Sequence, residues 1–306
     1  MLNNYRGLAL KPFFENGDLI RRSYKNFESN LMYNQETGFM TFYPKPEDAV
    51  LEEFYSSDFM RGDNDPTPES EFTPNMITVA KGVINHMNSF SEKSHWNIYD
   101  VGCGYGSLVW AWQQLGHTAW GNELNPTWVR EANYFCDDKI FFGNLYEGLR
   151  RVEESLDLFL ISHVLEHVLD PAQILNESAG RLSQNGLIYV NTPNTKCLRV
   201  FANGRTSGIG FGNFPMHLNF FTPASMKLIG ESVGLKLISM DTRPFDEIEK
   251  TSSDTDYQYR YNKRFLGGEL FSLFTRADSE LAQRVDTSDL YEKIKKTNDL
   301  FPIAST

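Results

Sequence analysis

The sequence predicts an α/β fold in which a mostly parallel β-sheet carries helices on both faces. Between Trp96 and Met240, short apolar strands alternate with amphipathic helices, as in chains that cross over repeatedly between parallel strands. A glycine-rich segment follows the first of these strands directly. The 306 residues are also enough to bury a large core without disulfide or metal support. Ligands of such sheets bind at the carboxyl ends of the strands, so functional residues are expected there.

The composition excludes several classes of protein. Hydrophobic residues make up 41% of the chain and charged residues 23%, as in folded, soluble proteins. The net charge of −11 disfavours binding to nucleic acid or to anionic membranes. The three cysteines have no CxxC spacing, and there is neither a signal-peptide pattern nor an apolar run long enough to span a membrane. We therefore expect a cytoplasmic protein without a nucleic-acid partner.

The first part of the chain, residues 1–75, is predicted to form an aromatic-rich cap or lead-in segment. It is weakly periodic, apart from a short helix that is expected from Pro46 to Tyr55. Turn-forming residues follow at positions 61–68, and Thr73-Pro74 begins a stronger helix that continues to Met87. We place the main domain at residues 76–278, because the regular alternation of strands and helices lies within it.

The elements of the main domain follow from their apolar patterns and from their end signals. Asn185-Gly186 is predicted to be a turn before a strand, and Gly234 closes a helix. The predicted strands are 97–101, 118–122, 140–142, 156–161, 187–190 and 235–240, and the predicted helices are 108–115, 172–182 and 223–233. The remaining residues, 279–306, form a tail of one or two amphipathic helices that packs on the core or contributes to a homodimer contact.

The strongest chemical signal is the segment DVGCGYG at residues 100–106. Alternate glycines allow positive φ and a close approach of the backbone to a ligand, and the N-terminus of the next helix points to the same place. The dinucleotide pattern GxGxxG fails in both frames, because Ser107 or Val109 stands where its last glycine would be. Glu123 ends the next strand, where an acidic side chain can accept both hydroxyls of a ribose. A nucleoside cofactor other than a nicotinamide dinucleotide is therefore predicted.

Several further segments occur in a characteristic order. After DVGCGYG come GNELNP, FFGNLYE, LDLFLISHVLEHVLDP, NGLIYVNTPN and HLNFFTPASMKLIGESVGL. With this ordered set the chain resembles class I S-adenosylmethionine-dependent methyltransferases, and among them the ubiquinone O-methyltransferase-like branch. The resemblance implies a Rossmann-like seven-stranded sheet, with an antiparallel strand at Glu269 to Thr275. It also implies S-adenosyl-L-methionine as cofactor, S-adenosyl-L-homocysteine as product and no metal.

The resemblance also assigns cofactor-binding residues. Asp100 would contact the amino group of the cofactor, Glu123 with the adjacent Leu124 would hold the ribose, and the adenine would meet Asn144 and Leu145. Asn144 departs from the aspartate that is common at this position, but its amide oxygen can still accept a hydrogen bond from the adenine. The loop residues under the methionine and ribose would be Gly102, Cys103, Gly104 and Gly106, and the residues near the methionine end would be Ser162 and His163.

The N-terminal segment resembles the zinc-knuckle lead-in that precedes some members of this branch. The two cysteines expected there are replaced by Asn34 and Thr37, so the segment cannot bind zinc and must be held by packing. A second metal pattern is HxxEH at His163–His167, which is typical of inverted zinc peptidases. His163 directly follows a strand, however, and Asp170-Pro171 begins a helix, so the two histidines are not expected to share one helix. His167 is then either a residue that fixes a turn or a catalytic residue.

Methyl transfer to a hydroxyl group benefits from a general base, and histidine suits this task near neutral pH. We expect His167 or His163 to be the base and His217 to line the acceptor pocket. The glycine- and phenylalanine-rich segment 195–216 is either a flap over the acceptor or an exposed loop. The predicted function is methylation of a small molecule on a hydroxyl of a sugar, phenol or secondary metabolite.

Two alternative functions are a macromolecular (protein or RNA) methyltransferase and a non-catalytic methyltransferase-like binding module. The acidic charge and the sequence NTPN at 191–194, in place of an NPPY-type tetrapeptide, disfavour the first. The intact glycines and Glu123 disfavour the second.

Overall fold

The computed structural model of the protein describes residues 4–5, 8–15, 18–56, 68–196, 214–243, 265 and 268–300. Most of the predicted flap, and the turn-forming stretch up to residue 67, lie outside these residues. The strands are β1 (Asn4–Tyr5), β2 (Leu8–Pro12), β3 (Phe14–Glu15), β4 (Asp18–Leu19), β5 (Arg21–Tyr24), β6 (Phe27–Asn34), β7 (Met40–Tyr43), β8 (Asn97–Val101), β9 (Thr118–Glu123), β10 (Ile140–Phe142), β11 (Leu156–Ser162), β12 (Leu182–Pro193), β13 (Asn219–Phe220), β14 (Leu235–Arg243) and β15 (Glu269–Arg276). The helices are α1 (Asp48–Ser56), α2 (Pro68–Glu71), α3 (Pro74–Asn88), α4 (Ser107–Gln114), α5 (Pro126–Ala132), α6 (Leu145–Leu149), α7 (Pro171–Arg181), α8 (Pro223–Glu231), α9 (Glu280–Arg284) and α10 (Ser288–Leu300).

The main sheet has seven strands in the order β10-β9-β8-β11-β12-β15-β14. The first five pair in parallel, and β15 runs antiparallel to both of its neighbours. The strand order reverses between β8 and β11, because the chain moves outward from β8 on one side and from β11 on the other. The predicted seven-stranded α/β sheet with an antiparallel strand at Glu269 is therefore confirmed, and its switch point lies beside the glycine-rich segment.

Strand residues alternate between two hydrophobic cores, one on each face of the sheet. Ile98 and Leu158 face the core that contains α3, α4, α5 and α9. Tyr99 and Phe159 face the core that contains α6, α7, α8 and α10. This alternation with period two is what a parallel sheet with helices on both faces requires. In the described part of the chain, no helix is both long and apolar enough to cross a membrane.

The N-terminal residues form a second sheet, which the sequence analysis missed. Its strands have the order β1-β2-β6-β7-β13, and β5 pairs with β6. The last strand, β13, comes from residues 219–220, so the sheet joins segments on both sides of the boundary predicted at residue 75. From this sheet Leu10, Met32 and Phe39 enter a core of the main sheet. The other face of the sheet forms a separate cluster around Leu31 and Phe42.

The turn with the missing cysteines is held by hydrogen bonds. Asn34 Oδ1 accepts from the backbone N–H and from the hydroxyl of Thr37, both at 2.8 Å, and Asn34 Nδ2 donates to Ala9 O at 3.0 Å. Both side chains are buried. Among the described residues, no group of three or more His, Cys, Asp or Glu side chains is placed to hold a metal ion.

Strand β12 shows the largest difference from the predicted element boundaries. Strand β12 begins at Leu182, five positions earlier than expected, so the predicted turn at Asn185-Gly186 lies inside an irregular strand. The Asn185 side chain is used elsewhere, because its Oδ1 accepts from Leu281 N at the start of α9. The C-terminal tail contains two helices, and Ile294 of the second is buried in the core.

Candidate functional site

The glycine-rich segment lies at the carboxyl end of β8 and leads into α4. Gly102, Gly104 and Gly106 all have positive φ, at 65°, 56° and 72°. A Cβ on Gly106 would lie 2.9 Å from Ile140 Cδ1, and one on Gly102 would lie 2.9 Å from Val164 Cγ2. A Cβ on Gly104 would meet no described atom within 4 Å. The two outer glycines are therefore required by packing, whereas Gly104 borders open space.

Glu123 links this loop to the next strand. Its Oε2 accepts from Gly104 N at 3.1 Å, and its Oε1 accepts from Leu124 N at 2.7 Å and from Asn125 N at 2.9 Å. Burial nevertheless raises the pKa of Glu123, against the effect of these three backbone hydrogen bonds. A carboxylate has about four acceptor positions. One position on Oε2 therefore stays available for a hydroxyl donor such as a ribose.

Asp100 is a second buried carboxylate at this edge, with 5% of its surface exposed. Burial, and then the charge of Glu123, raise its pKa to about 8. In the described part of the chain, its carboxylate accepts no hydrogen bond and meets no cation. A ligand that brings a positive charge and hydroxyl donors would satisfy both acids, and S-adenosyl-L-methionine, with its ammonium, sulfonium and ribose groups, has both.

The side chains of three predicted cofactor residues, Asn144, Leu145 and Cys103, contact other parts of the protein. Asn144 caps α6: its Oδ1 accepts from Glu147 N at 3.2 Å, while Glu147 Oε2 accepts from Asn144 N at 2.9 Å. The amide oxygen that was expected to face the adenine is therefore already used as a helix cap. Leu145 is 2% exposed and packs in the core, so only its backbone can reach a ligand. Cys103 lies against Gly121, where an added Cβ would be 2.7 Å from Cys103 Sγ.

The predicted histidines meet at the turn that follows β11. Ser162 ends this strand, and His163 comes next with a positive φ of 53°. His163 Nδ1 lies 3.2 Å from Glu166 Oε1, and its Nε2 lies 3.5 Å from Glu269 Oε1. Hydrogen bonds to these two acids raise the pKa of His163 to about 10. The two acids favour the protonated form of His163, and Asn191 Nδ2 lies 3.1 Å from the same Nε2.

Glu166 is the centre of this group, and it is almost fully buried. Burial opposes its ionisation, but the hydrogen bond from His163 and the nearby charge of His167 outweigh burial and lower the pKa of Glu166. Glu166 Oε2 also accepts from Thr192 Oγ1 at 3.1 Å. Glu166 belongs to the HxxEH pattern, which the sequence analysis considered only as a zinc-binding motif. The turn conformation of this segment does not support such a metal site.

His167 has one nitrogen engaged and one available. Its Nδ1 lies 2.8 Å from Met216 O, and because a carbonyl can only accept, Nδ1 carries the proton. Its Nε2 lies 3.8 Å from Glu166 Oε1 and makes no hydrogen bond within the described residues. Nε2 faces the carboxylate of Glu166, which would stabilise a proton on this nitrogen.

Aromatic rings surround His167. The ring centroid of His217 is 4.9 Å away and that of Tyr55 is 6.0 Å away. Burial, followed by the charge of His167, lowers the pKa of His217 to about 4, so its ring is neutral. Tyr55 comes from α1 and donates its hydroxyl to Met216 O at 3.1 Å. Burial and the charges of Glu166 and Glu123 raise the pKa of Tyr55, and no sequence signal had marked this tyrosine as a site residue.

The sheet order and the acids around the glycine loop define a class I methyltransferase fold with a site for S-adenosyl-L-methionine. The chain matches the family described as "Methyltransferase domain" over residues 77–240, which is more than half of its 306 residues. The protein therefore belongs to this methyltransferase family and is an S-adenosyl-L-methionine-dependent enzyme.

Similar proteins are known from several organisms. The chain is 27% identical over 207 residues to "Ubiquinone biosynthesis O-methyltransferase" from Cupriavidus pinatubonensis, which covers 63% of this chain and 82% of that protein. It is 24% identical over 213 residues to the protein of the same name from Thiobacillus denitrificans, covering 63% and 88%.

Two solved structures can be superimposed on the chain. Magnesium protoporphyrin IX methyltransferase from Synechocystis with bound SAH matches with a TM-score of 0.49 and 14% identity, over 75% of this chain and 100% of that one. A SAM-dependent methyltransferase from Archaeoglobus fulgidus matches with a TM-score of 0.47 and 20% identity, over 75% and 100%.

Proposed function

We propose that the protein methylates a hydroxyl oxygen of a small molecule and that His167 is the general base. The observation that carries the proposal is the hydrogen bonding of His167. Its Nδ1 proton is held by Met216 O, so Nε2 is the nitrogen of this ring that can take up a proton, and it lies 3.8 Å from Glu166 Oε1. A base must present such a lone pair to the hydroxyl that it deprotonates.

The acid beside His167 supports this role. When Nε2 takes up a proton, the imidazolium lies 3.8 Å from Glu166 Oε1, and opposite charges at that distance in a buried site attract each other. Glu166 is kept ionised by His163, which stays protonated through its contacts with Glu166 and Glu269. In this proposal His163 holds the acid in its charged form, and His167 moves the proton.

Asp100 and Glu123 are proposed to hold the cofactor at the glycine-rich loop. When bound, S-adenosyl-L-methionine supplies a methyl group that is activated by the positive charge on sulfur. Asp100 would accept from the amino group, and Glu123 would use its remaining acceptor position for a ribose hydroxyl. Gly104, which borders open space, allows the backbone to approach this ligand closely.

The acceptor is proposed to be a planar or aromatic hydroxyl compound. The rings of Tyr55, His167 and His217 lie next to one another and can contact such an acceptor. His217 is neutral, so it can form a hydrogen bond to the acceptor without adding charge. The relatives named as ubiquinone biosynthesis O-methyltransferases also support an oxygen acceptor. We keep the cytoplasmic location as part of this proposal.

The test is methyl transfer from tritium-labelled cofactor to a panel of phenols, catechols and sugars, with protein and RNA fractions assayed in parallel. We expect label in the phenol or catechol pool. His167→Gln should lower kcat by about 10²- to 10⁴-fold, the usual contribution of a general base, with unchanged cofactor affinity. The matched control is His86→Gln, because His86 is an exposed histidine on α3. Label that appears in macromolecules alone, or a His167→Gln enzyme with full activity, would refute the proposal.

A further inference from the structure

We propose that Asn219 is a positioning residue that fixes the turn carrying Glu166 and His167 to the N-terminal sheet. The expected effect of Asn219 on catalysis rests on the proposed function, in which His167 is the base. The expected effect of Asn219 on the position of the turn does not. Asn219 belongs to β13, which the sequence analysis did not connect with the histidines.

On one side, Asn219 holds the backbone of the turn. Its Nδ2 donates to Leu165 O at 3.0 Å and to Val168 O at 2.7 Å. Its backbone N–H donates to Glu166 O at 3.0 Å, and so does that of Leu218 at 2.7 Å. Leu218 and Asn219 therefore hold three carbonyl groups of the turn, those of Leu165, Glu166 and Val168.

On the other side, Asn219 is held by the N-terminal sheet. Its Oδ1 accepts from Lys45 Nζ at 2.6 Å and lies 3.0 Å from Thr41 Oγ1, whose single proton is shared between this oxygen and Leu218 O, also at 3.0 Å. Thr41 is also the strand partner of Asn219 between β7 and β13. Asn219 is only 1% exposed, both of its amide protons are used by the protein, and its Oδ1 faces Lys45 and Thr41.

The same short segment reaches the ring of His167. Met216, three residues before Asn219, provides the carbonyl that accepts from His167 Nδ1 and from Tyr55 Oη. The segment 216–219 therefore holds His167 twice, once through the backbone of its turn and once through its ring. A carboxamide is the side chain that can donate to two carbonyls and accept from a hydroxyl and an ammonium at one position. The isosteric aspartate would place an oxygen against Leu165 O and Val168 O.

The test is Asn219→Asp, followed by NMR of the histidine side chains and by steady-state kinetics. We expect the low-field Nδ1 proton signal of His167 to shift or to exchange faster, because its hydrogen bond to Met216 O depends on the position of the turn. We expect kcat to fall about 10- to 100-fold, the size of effect that a small misplacement of a catalytic group produces. Cofactor affinity should stay within about twofold of the wild type, because Asp100 and Glu123 lie on other strands.

The matched control is Asn133→Asp. Asn133 also donates to and accepts from one backbone partner, Ile140, but it lies after α5, in a different part of the sequence. This variant should lose stability and keep both the His167 signal and kcat. If Asn219→Asp does not fold, the double variant Thr41→Val with Lys45→Met replaces it, since it removes the two donors to Oδ1. An unchanged His167 signal in the folded variant would overturn the inference. A shifted signal in an enzyme that transfers no label to hydroxyl compounds would refute the proposed function alone.

Discussion

At the scale of single residues, the proposed cofactor site contains two carboxylates, Asp100 and Glu123, whose pKa values are raised by burial. Burial raises the pKa of Asp100 to about 8, above the ordinary value of 3.8. A buried acid with a raised pKa destabilises the fold as the pH rises from its unfolded value to its folded one, because the unfolded chain ionises more readily. A cationic ligand bound next to Asp100 stabilises its ionised form and so removes this cost. This gives the site a pH dependence that can be measured.

We expect the affinity for S-adenosyl-L-methionine to rise with pH between about 6 and 8, by up to tenfold per pH unit, and then to level off. The reason is that the ammonium group of the ligand requires the ionised form of Asp100. Titration calorimetry at several pH values measures this dependence. Asp100→Asn should bind more weakly and without this pH dependence. A wild-type affinity that is constant over the range would contradict the assignment of Asp100.

His163→Gln tests the assignment of His163 as a fixed cation. The variant leaves the buried Glu166 without its main partner, and we expect a loss of about 1–3 kcal/mol in the free energy of unfolding, since the 42% exposure of the His163 side chain lets solvent screen part of the interaction. The folded pKa of about 10 lies above the ordinary 6.5, so this contribution is complete below pH 6.5 and is lost as the pH rises toward 10.

Chemical denaturation at pH 6 and at pH 10 measures the contribution of His163. The double variant His163→Gln with Glu166→Gln should recover part of the stability, because no buried charge remains. Equal losses for His163→Gln at both pH values would argue against a charged His163.

At the scale of elements, the loop between β8 and α4 combines two separate requirements for glycine. Gly106→Ala places a methyl group against Ile140 and Cys136 as well as forcing a positive φ, so we expect a loss of about 2–4 kcal/mol. Gly104→Ala keeps the φ cost of about 1–2 kcal/mol but meets open space, so its main effect should be at least a tenfold loss of cofactor affinity.

Denaturation and calorimetry on the two variants separate these effects. Gly180→Ala is the control: Gly180 lies inside α7 with no atom near its added Cβ, and the change should stabilise the protein slightly. If Gly104→Ala bound the cofactor normally, the open space beside Gly104 would not be the cofactor site.

At the scale of the whole molecule, the N-terminal sheet and the main sheet share one core. Phe39 is fully buried and packs against Phe221, with ring centroids 5.6 Å apart. Asn298 near the end of α10 donates to Glu36 O, so the last helix also contacts the N-terminal sheet. We infer that the two sheets unfold together.

Phe39→Ala should therefore lower the stability of the entire molecule by about 3–5 kcal/mol, in a single transition. Phe142→Ala is the matched control, since Phe142 is 53% exposed on the edge strand β10, and it should change stability by less than about 0.5 kcal/mol. Fluorescence and far-UV circular dichroism recorded in the same denaturation would report the two sheets. Two separate transitions in the wild type would show that the sheets are independent.

Much of the main domain was predictable because its signals are local. The strands from β8 to β11 and helix α4 follow from apolar periodicity and from the glycine-rich turn, whereas helices α5 and α6 were not predicted. Asp100, Glu123 and the glycines lie at the ends of consecutive strands, so the rule for parallel sheets brings them together without any long-range information. The single antiparallel strand at Glu269 was expected from the resemblance to the family.

The residues that the sequence analysis missed depend on distant partners. Thr41 and Asn219 are 178 positions apart, and neither has a neighbour that marks it as part of a sheet. Tyr55 and Met216 meet His167 only because β7 pairs with β13. The capping role of Asn144 was also missed: its oxygen accepts from Glu147 N in a capping box, and its contact with the adenine stays a prediction.

The order of apolar and polar residues along the chain by itself determined the α/β class, the glycine loop and the two acids of the cofactor site, since hydrophobic periodicity and strand ends are properties of adjacent residues. Only the tertiary structure decided which groups the histidines contact, which residues surround the buried Glu166 and how the N-terminal sheet holds the turn. These depend on distances of a few ångströms between segments far apart in sequence, and hydrogen bonding and burial act over those distances.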